Sequence, residues 1–251
     1  MAIFEDLAAE QDRLDGILAG LDDAQWATPS AAAGWSVADV VLHLAQSDEA
    51  VVASAAGANL RAGPDARATS GAGASASVDE IMNRLVQAER AAPAEIFERW
   101  RQARAAALEA LRGADPQQPM AWVETPMKPA TLATTRLAEA WAHGLDITGP
   151  LRIGFPDTAR LRNVAWLAHR TLPYALSLNG GGPYDVFCEL TAPDGAGVWR
   201  FGPETADSAI TGPAGSFCRV AAQRLAPEDS GLAVRGPHGA AALRVLRTYA
   251  A

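Results

Sequence analysis

Lysine is almost absent from this sequence. Of 251 residues, 21 are lysine or arginine, and only Lys128 is a lysine. The 29 acidic residues bring the formal net charge to −8. Binding to a nucleic-acid backbone needs clustered basic residues, and no basic stripe interrupts this acidic chain. We therefore expect neither DNA nor RNA as a partner.

Long apolar runs and paired cysteines are also missing. No stretch approaches the roughly 20 uninterrupted apolar residues of a membrane-spanning helix, and the acidic residues 1–10 do not resemble a signal peptide. Cys188 and Cys218 form no C-x-x-C pair, so we expect two buried, reduced thiols. These absences predict a cytoplasmic protein with no membrane partner.

Helical periodicity dominates the first half of the chain. Apolar residues recur at three- and four-residue spacing, and Ser36 followed by Asp39 indicates a capped helix start. Residues 57–77 are rich in Ala, Gly and Ser and predict a loop, whereas Gly149-Pro150 predicts a helix end. Helices are predicted over about 4–21, 36–55, 79–91, 94–111 and 131–147.

The second half changes character after one more predicted helix at about 158–176, which Pro173 is expected to kink or end. Short β-like runs separated by turns follow. The predicted strands are 186–191, 198–201, 208–211 and 232–235, and the predicted helices are 215–224 and 240–249. The sequence thus predicts an α+β protein with two domains. Residues 1–150 are expected to form an up-and-down bundle of about four or five helices, and residues 151–251 a small α+β domain.

The run from Arg136 to Asp146 carries the most informative chemistry. Glu139 and His143 are four residues apart, so they lie one turn apart on the same face of a helix. Asp146 follows three residues later, near the same stripe. A carboxylate and an imidazole stacked in this way can bind one divalent metal ion.

A third ligand could come from His43, which lies among the apolar residues 40–45 and is expected to face the bundle core. Two neutral imidazoles and one carboxylate suit Zn²⁺ and leave a fourth position for water or substrate. Asp146 is then expected to accept the other ring N–H of a histidine or to contact the substrate. On spacing alone, His43 could equally be a hydrogen-bonded core residue and the Glu139–His143 pair a coincidence.

Particular motifs narrow these alternatives. The segments Trp26–Pro29, Ala33–Asp39 with His43-Leu44, and Glu139–Asp146 resemble the DinB-like superfamily, and within it the mycothiol-dependent maleylpyruvate isomerase family, most closely an actinobacterial metal-binding branch. Parts of the second half, such as residues 190–195, resemble that branch as well. The resemblance implies a DinB-like four-helix up-and-down bundle that holds zinc through His43, Glu139 and His143. It also implies a sterol-carrier-like C-terminal domain and mycothiol as co-substrate.

The function that follows is activation of a low-molecular-weight thiol by zinc or another divalent metal, for isomerisation or S-transfer on a small electrophilic substrate. An acidic substrate would need a cationic contact. Arg224, on a predicted helix, is the candidate catalytic contact, and Arg84 is a candidate for binding the co-substrate. Trp35 and Trp141 are predicted to pack in the core. We expect a monomer or a homodimer.

Other functions share these residues. A secondary-metabolite tailoring enzyme could use the same metal for a rearrangement or cyclisation, and a non-catalytic metal- or lipid-binding protein is a further alternative. A non-haem Fe(II) triad also has two histidines and a carboxylate, but such sites usually lie on β-scaffolds. A metallopeptidase is disfavoured because the chain lacks H-E-x-x-H.

Overall fold

In the computed structural model of the protein, the described residues group into two compact units, Met1–Phe155 and Pro156–Ala251. The described residues are 2–58, 78–123, 125–180, 182 and 184–248. The loop predicted at residues 57–77 therefore lies almost wholly outside them. None of the described helices is long and apolar enough to cross a membrane.

Six helices make up the described part of the N-terminal unit: α1 Ala2–Leu18, α2 Asp23–Trp26, α3 Val37–Ala55, α4 Val78–Ala88, α5 Pro93–Gly113 and α6 Pro129–Leu151. The four long ones form a bundle in which α3 packs on α5, α1 packs on α6, and the two pairs pack on each other. Side chains such as Leu14, Val40, Trp100 and Leu137 fill its core and are almost fully buried. The predicted four-helix bundle is confirmed.

The start of α3 is fixed by the predicted cap. The backbone N–H of Asp39 donates to Ser36 Oγ at 3.2 Å, and the Ser36 N–H donates to Asp39 Oδ2 at 2.9 Å. Arg90 then holds both Asp39 oxygens, at 2.7 and 2.8 Å. Such a reciprocal cap satisfies two helix-end donors and sets the first turn. His43 lies one turn beyond Asp39, in the part of α3 that follows this cap.

The end of α6 differs from the prediction. Gly149-Pro150 does not stop the helix, which continues to Leu151 and ends where Arg152 takes a left-handed conformation with φ of 56°. Proline has no N–H, so Pro150 cannot bond to the carbonyl four residues earlier, that of Asp146. The N–H of Ala31 donates to this carbonyl instead, at 2.9 Å. The missing donor is thus replaced from a loop, and the helix persists.

A glycine beside His143, the histidine of α6, permits close packing. A Cβ atom on Gly144 would lie 2.5 Å from Cζ of Phe155, so only glycine leaves room for this ring. The guanidinium of Arg13, on α1, lies 3.6 Å from the centre of the same ring. The ring is therefore enclosed between α1 and α6, next to the segment that carries the candidate ligands.

The C-terminal unit is an α+β module, as predicted. Its helices are α7 Leu161–Leu178, α8 Ala214–Ala221 and α9 Gly239–Val245, and its strands are β1 Val186–Thr191, β2 Val198–Phe201, β3 Ser208–Pro213 and β4 Ala233–Arg235. The sheet has the order β2-β1-β3-β4, with β1 and β3 parallel and the outer pairs antiparallel. The three helices pack on one another and on the sheet.

Two helix boundaries in this unit correct the sequence analysis. Helix α7 begins at Leu161 and continues through Pro173. Helix α8 ends at Ala221, so Arg224 does not lie on a helix as predicted. The cause is Gln223, whose φ of 60° is left-handed and lets the Arg224 N–H donate to the carbonyl of Arg219 at 2.8 Å. A left-handed residue of this kind ends a helix whether or not it is glycine.

Candidate metal centre

The structure brings together the three residues selected as metal ligands. His43 on α3 and the pair Glu139 and His143 on α6 offer one ligand atom each, and these atoms all lie within 4.8 Å of one another. The Nε2 atoms of His143 and His43 lie 3.3 and 3.7 Å from Glu139 Oε2. Two ligands bound to zinc at tetrahedral angles are about 3.4 Å apart. The donor set and its spacing therefore fit such an ion.

The cluster is open on one side. Both imidazoles are buried, whereas the Glu139 side chain retains 28% of its accessible surface. The carboxylate is therefore the part of the cluster that is most accessible to solvent. An open position next to three protein ligands is the arrangement that distinguishes catalytic from structural zinc sites.

The three groups have unequal proton affinities. Burial alone would raise the pKa of Glu139, but hydrogen bonds with both histidines outweigh burial and hold it well below its usual range. Burial opposes charging of His143, yet Asp146 and Glu139 raise its pKa to about 9. Burial dominates at His43 and lowers its pKa. Without a bound ion, His143 therefore takes up a proton more readily than His43.

Asp146 orients the His143 ring. Its Oδ2 lies 2.9 Å from His143 Nδ1, and Asp146 is only 1% exposed. A carboxylate at Nδ1 keeps a proton on that nitrogen and directs the lone pair of Nε2 toward the cluster. Asp146 and Glu139 therefore contact different ring nitrogens of His143, Nδ1 and Nε2 respectively.

Asp146→Asn is expected to weaken metal binding by about tenfold to a hundredfold, because it removes the charge behind His143 but keeps the shape of the side chain. Competition with a chromophoric chelator measures the affinity. Asp23→Asn, at an exposed position of α2, is the matched control and should leave the affinity unchanged. An Asp146→Asn protein with wild-type affinity would show that the carboxylate does not tune the ligand.

Trp35 covers the two imidazoles and is not simply a core residue, whereas Trp141 is buried as predicted. The ring of Trp35 lies 5.1 Å from that of His43 and 6.5 Å from that of His143, between centroids. Its Nε1 donates to Asn83 Oδ1 on α4 at 3.0 Å. Trp35 also lines a groove of about 610 Å³. It therefore forms the wall between this groove and the candidate ligands.

Comparison with known families decides what kind of protein carries this site. Residues 7–148 match the family described as mycothiol maleylpyruvate isomerase N-terminal domain. This match spans more than half of the chain. The chain belongs to this family.

Relatives of this family member are similar over most of their length. An uncharacterized protein of Mycobacterium tuberculosis, found in strains CDC 1551 / Oshkosh and H37Rv, is 36% identical over 223 residues, which cover 88% of this chain and 84% of the relative. Two crystal structures of mycothiol-dependent maleylpyruvate isomerase, one of a mutant, give TM-scores of 0.61 and 0.60 at 15% and 16% identity. Each covers 94% of this chain and 95% of the other. At this identity the likeness to the crystal structures shows the fold alone.

This member of the mycothiol maleylpyruvate isomerase family has further buried polar residues near the cluster that the sequence analysis missed. Asp48 on α3 is 3% exposed, and its Oδ2 accepts a hydrogen bond from Gln11 Nε2 at 3.2 Å. Burial raises the pKa of Asp48 to about 7. Arg136, 7% exposed, lies one turn before Glu139 on α6. The three-residue spacing between Arg136 and Glu139 could have indicated that both side chains lie on the same face of the helix.

The two arginines that the sequence analysis selected, Arg84 and Arg224, are exposed. Arg84 lies on α4, and Arg224 follows α8, where its Nη1 donates to the carbonyl of Ala222 at 2.7 Å. Both cysteines are buried and free, and burial raises the pKa of Cys188 to about 12 and that of Cys218 further. Neither cysteine supplies a thiolate at neutral pH, so a thiol nucleophile in this family member would have to come from a ligand.

Proposed function

We propose that the protein is a zinc-dependent enzyme that activates a low-molecular-weight thiol, such as mycothiol, for isomerisation or S-transfer on a small electrophilic substrate. The observation that carries the proposal is the open cluster of two imidazoles and a carboxylate in a chain that belongs to the mycothiol maleylpyruvate isomerase family. A metal-dependent isomerase fits this donor set. Because Cys188 and Cys218 are buried, the thiol that attacks the substrate would come from a bound ligand.

Each residue of the cluster has a definite task in this proposal. His43, Glu139 and His143 would hold the ion through two nitrogens and one oxygen, and Asp146 would fix the tautomer of His143. When bound here, zinc would supply ionisation of a coordinated thiol at neutral pH, because a dication lowers the thiol pKa. Trp35 would exclude water from one side of the ligands by covering both imidazoles.

The charge balance explains why a thiol suits the open position. A dication and the Glu139 carboxylate leave a net charge of about +1 among the ligands, and an anionic sulfur neutralises it. Attack of the thiolate on an activated alkene would form a C–S bond and move the π electrons onto the activating group. Bond rotation followed by loss of the thiolate would reform the alkene as its other isomer, which is isomerisation. Protonation of the same carbanion by water would instead retain the sulfur, which is S-transfer. Arg224 remains our proposed contact for an acidic substrate, and Arg84 remains our proposed contact for the co-substrate.

The test is the visible spectrum of Co(II)-substituted protein titrated with mycothiol. Ligation of the thiol should add an intense sulfur-to-cobalt absorption that saturates with about one equivalent bound. Mycothiol disulfide, which offers no thiolate, is the matched control ligand and should leave the spectrum unchanged. If millimolar mycothiol leaves the cobalt spectrum unchanged, the thiol-dependent function is wrong.

A further inference from the structure

Helix α4 is attached to the bundle mainly through polar side chains. Among the described side chains of this helix only Val86 is buried, whereas Ile81 and Leu85 are 42% and 37% exposed. Just after the helix, Arg90 pairs with Asp39 at 2.7 Å. A helix that buries so little apolar surface is held by few interactions, so each polar contact contributes much of its attachment.

One polar contact of α4 reaches the tryptophan that covers the candidate ligands. Asn83 Oδ1 accepts a hydrogen bond from Trp35 Nε1 at 3.0 Å, and Asn83 is exposed. The ring of Trp35 lies 5.1 Å from that of His43 and 6.5 Å from that of His143, between centroids. An indole has a single N–H donor, so no second hydrogen bond from this side chain replaces the one to Asn83. Asn83 is therefore the polar contact that fixes the position of the ring.

The backbone of Trp35 is fixed separately from its ring. The carbonyl of Trp35 accepts hydrogen bonds from the Ser30 N–H at 2.9 Å and from Ser30 Oγ at 2.8 Å, and the Trp35 N–H donates to the carbonyl of Ala32 at 3.1 Å. None of these bonds involves α4, so they stay in place if Asn83 moves away. Loss of the Asn83 contact would therefore free the side chain to change rotamer without unfolding the loop.

The groove of about 610 Å³ adjoins this indole ring. Trp35 forms part of its lining together with Trp26, Pro29, Arg90 and Pro93. Because Trp35 is only half-buried, its ring is not enclosed by the core and has room to move. A ring that rotates into the groove no longer covers the imidazoles, and the groove then connects solvent with the candidate ligands.

We propose that Asn83 is a positioning residue that keeps Trp35 over the metal centre, and that loss of this hydrogen bond opens a route from the groove to His43 and His143. A ligand in the groove that takes the indole N–H for itself would open the same route, which couples entry of the ligand to exposure of the metal. The proposal rests on the metal centre of the function proposed above, but it does not depend on which nucleophile binds there.

Zinc release from the loaded protein to an excess of a chromophoric chelator, measured after rapid mixing, tests this role. Asn83→Leu keeps the size of the side chain but removes the acceptor, and it should speed release about twofold to tenfold, as the loss of one hydrogen bond predicts. Trp35→Phe removes the donor and should speed release to a similar extent. Asn83→Asp retains an acceptor oxygen and should keep the slow release of the wild type.

The double variant separates positioning of Trp35 from a general effect on α4. If Asn83 acts through Trp35, Asn83→Leu should not accelerate release further in a Trp35→Phe background. Gln87→Leu is the matched control, because Gln87 is an exposed amide on the same helix, and it should leave release unchanged. Wild-type release in Asn83→Leu, or an equal acceleration by Asn83→Leu in both backgrounds, overturns the proposal. Should Asn83→Leu not fold, wild-type release in Trp35→Phe overturns it equally.

Histidine modification in the metal-free protein gives a second readout that requires neither zinc nor a thiol. Diethyl pyrocarbonate acylates accessible imidazoles, and mass spectrometry of the digested protein gives the rate for each histidine. His43 should react about twofold to tenfold faster in Asn83→Leu than in the wild type. His238, in the C-terminal unit, is the internal reference and should react at the wild-type rate. Equal His43 rates in the two proteins overturn the proposal.

The two readouts separate this proposal from the thiol function. A protein that binds no zinc, or whose cobalt spectrum ignores mycothiol, but whose His43 rate depends on Asn83 rejects the proposed function and supports the positioning of Trp35 by Asn83. Conversely, a thiol-dependent cobalt spectrum together with a His43 rate that is indifferent to Asn83 rejects the role of Asn83 alone.

Discussion

Replacing His43 by alanine is expected to abolish stoichiometric metal binding. The other two ligands both lie on α6, and His43 is the one that α3 contributes, so its loss leaves an ion with a carboxylate and one imidazole. Metal content after dialysis, measured by elemental analysis, should fall from about one equivalent to near zero. The thermal stabilisation by added zinc, about 4 kcal/mol at a thousandfold excess over the dissociation constant, should disappear with it.

The matched control is His238→Ala. His238 is a half-buried histidine of the C-terminal unit whose ring stacks on Tyr184, so this variant loses an imidazole but none of the candidate ligands. It should retain the wild-type metal content. Full metal content in the His43→Ala protein would show that the three-ligand site is wrong, whichever reaction the protein performs.

Asp48→Asn is expected to remove a pH-dependent loss of stability in the metal-free protein. Burial raises the pKa of Asp48 from 3.8 to about 7, against the opposing charges of Arg136 and Arg104 and with the help of Glu49 and Glu139. The folded state then keeps a proton that the unfolded chain releases. Stability from this group is therefore full below about pH 4 and falls as the pH rises toward 7.

The size of the effect is large enough to measure by urea denaturation with a chelator present. Between pH 5 and pH 8 the wild type should lose on the order of 2–3 kcal/mol more unfolding free energy than Asp48→Asn. Asparagine can still accept the hydrogen bond of Gln11 without carrying a charge. Asp23→Asn should follow the wild-type curve. Parallel curves for wild type and Asp48→Asn would contradict a raised pKa at this carboxyl.

Local signals explain which parts of the fold the sequence could predict. The cap at Ser36 and Asp39 is decided within one turn, so the pattern of residue types was sufficient. The positions of Glu139 and His143 follow from helical spacing alone. His43 needed one more step, the expectation that an imidazole among apolar residues faces the core, and the structure brings it to the same cluster.

The errors occurred where a distant segment or an unusual backbone decided the outcome. Pro150 has the local signature of a helix end, but Ala31 supplies a donor from much earlier in the chain. Gln223 follows α8 and has a positive φ, and the sequence gives no sign of it because the residue is not a glycine.

The hydrogen bond from Ala31 to the carbonyl of Asp146 also bears on protein engineering. It ties the loop that carries Trp35 to the turn of α6 that carries His143 and Asp146, and it exists because Pro150 leaves that carbonyl unused. A designer who grafts the three ligands onto another bundle would reproduce the metal-binding atoms but not this tie. Pro150 and the loop that carries Ala31 would have to be copied as well to bring Trp35 beside the imidazoles.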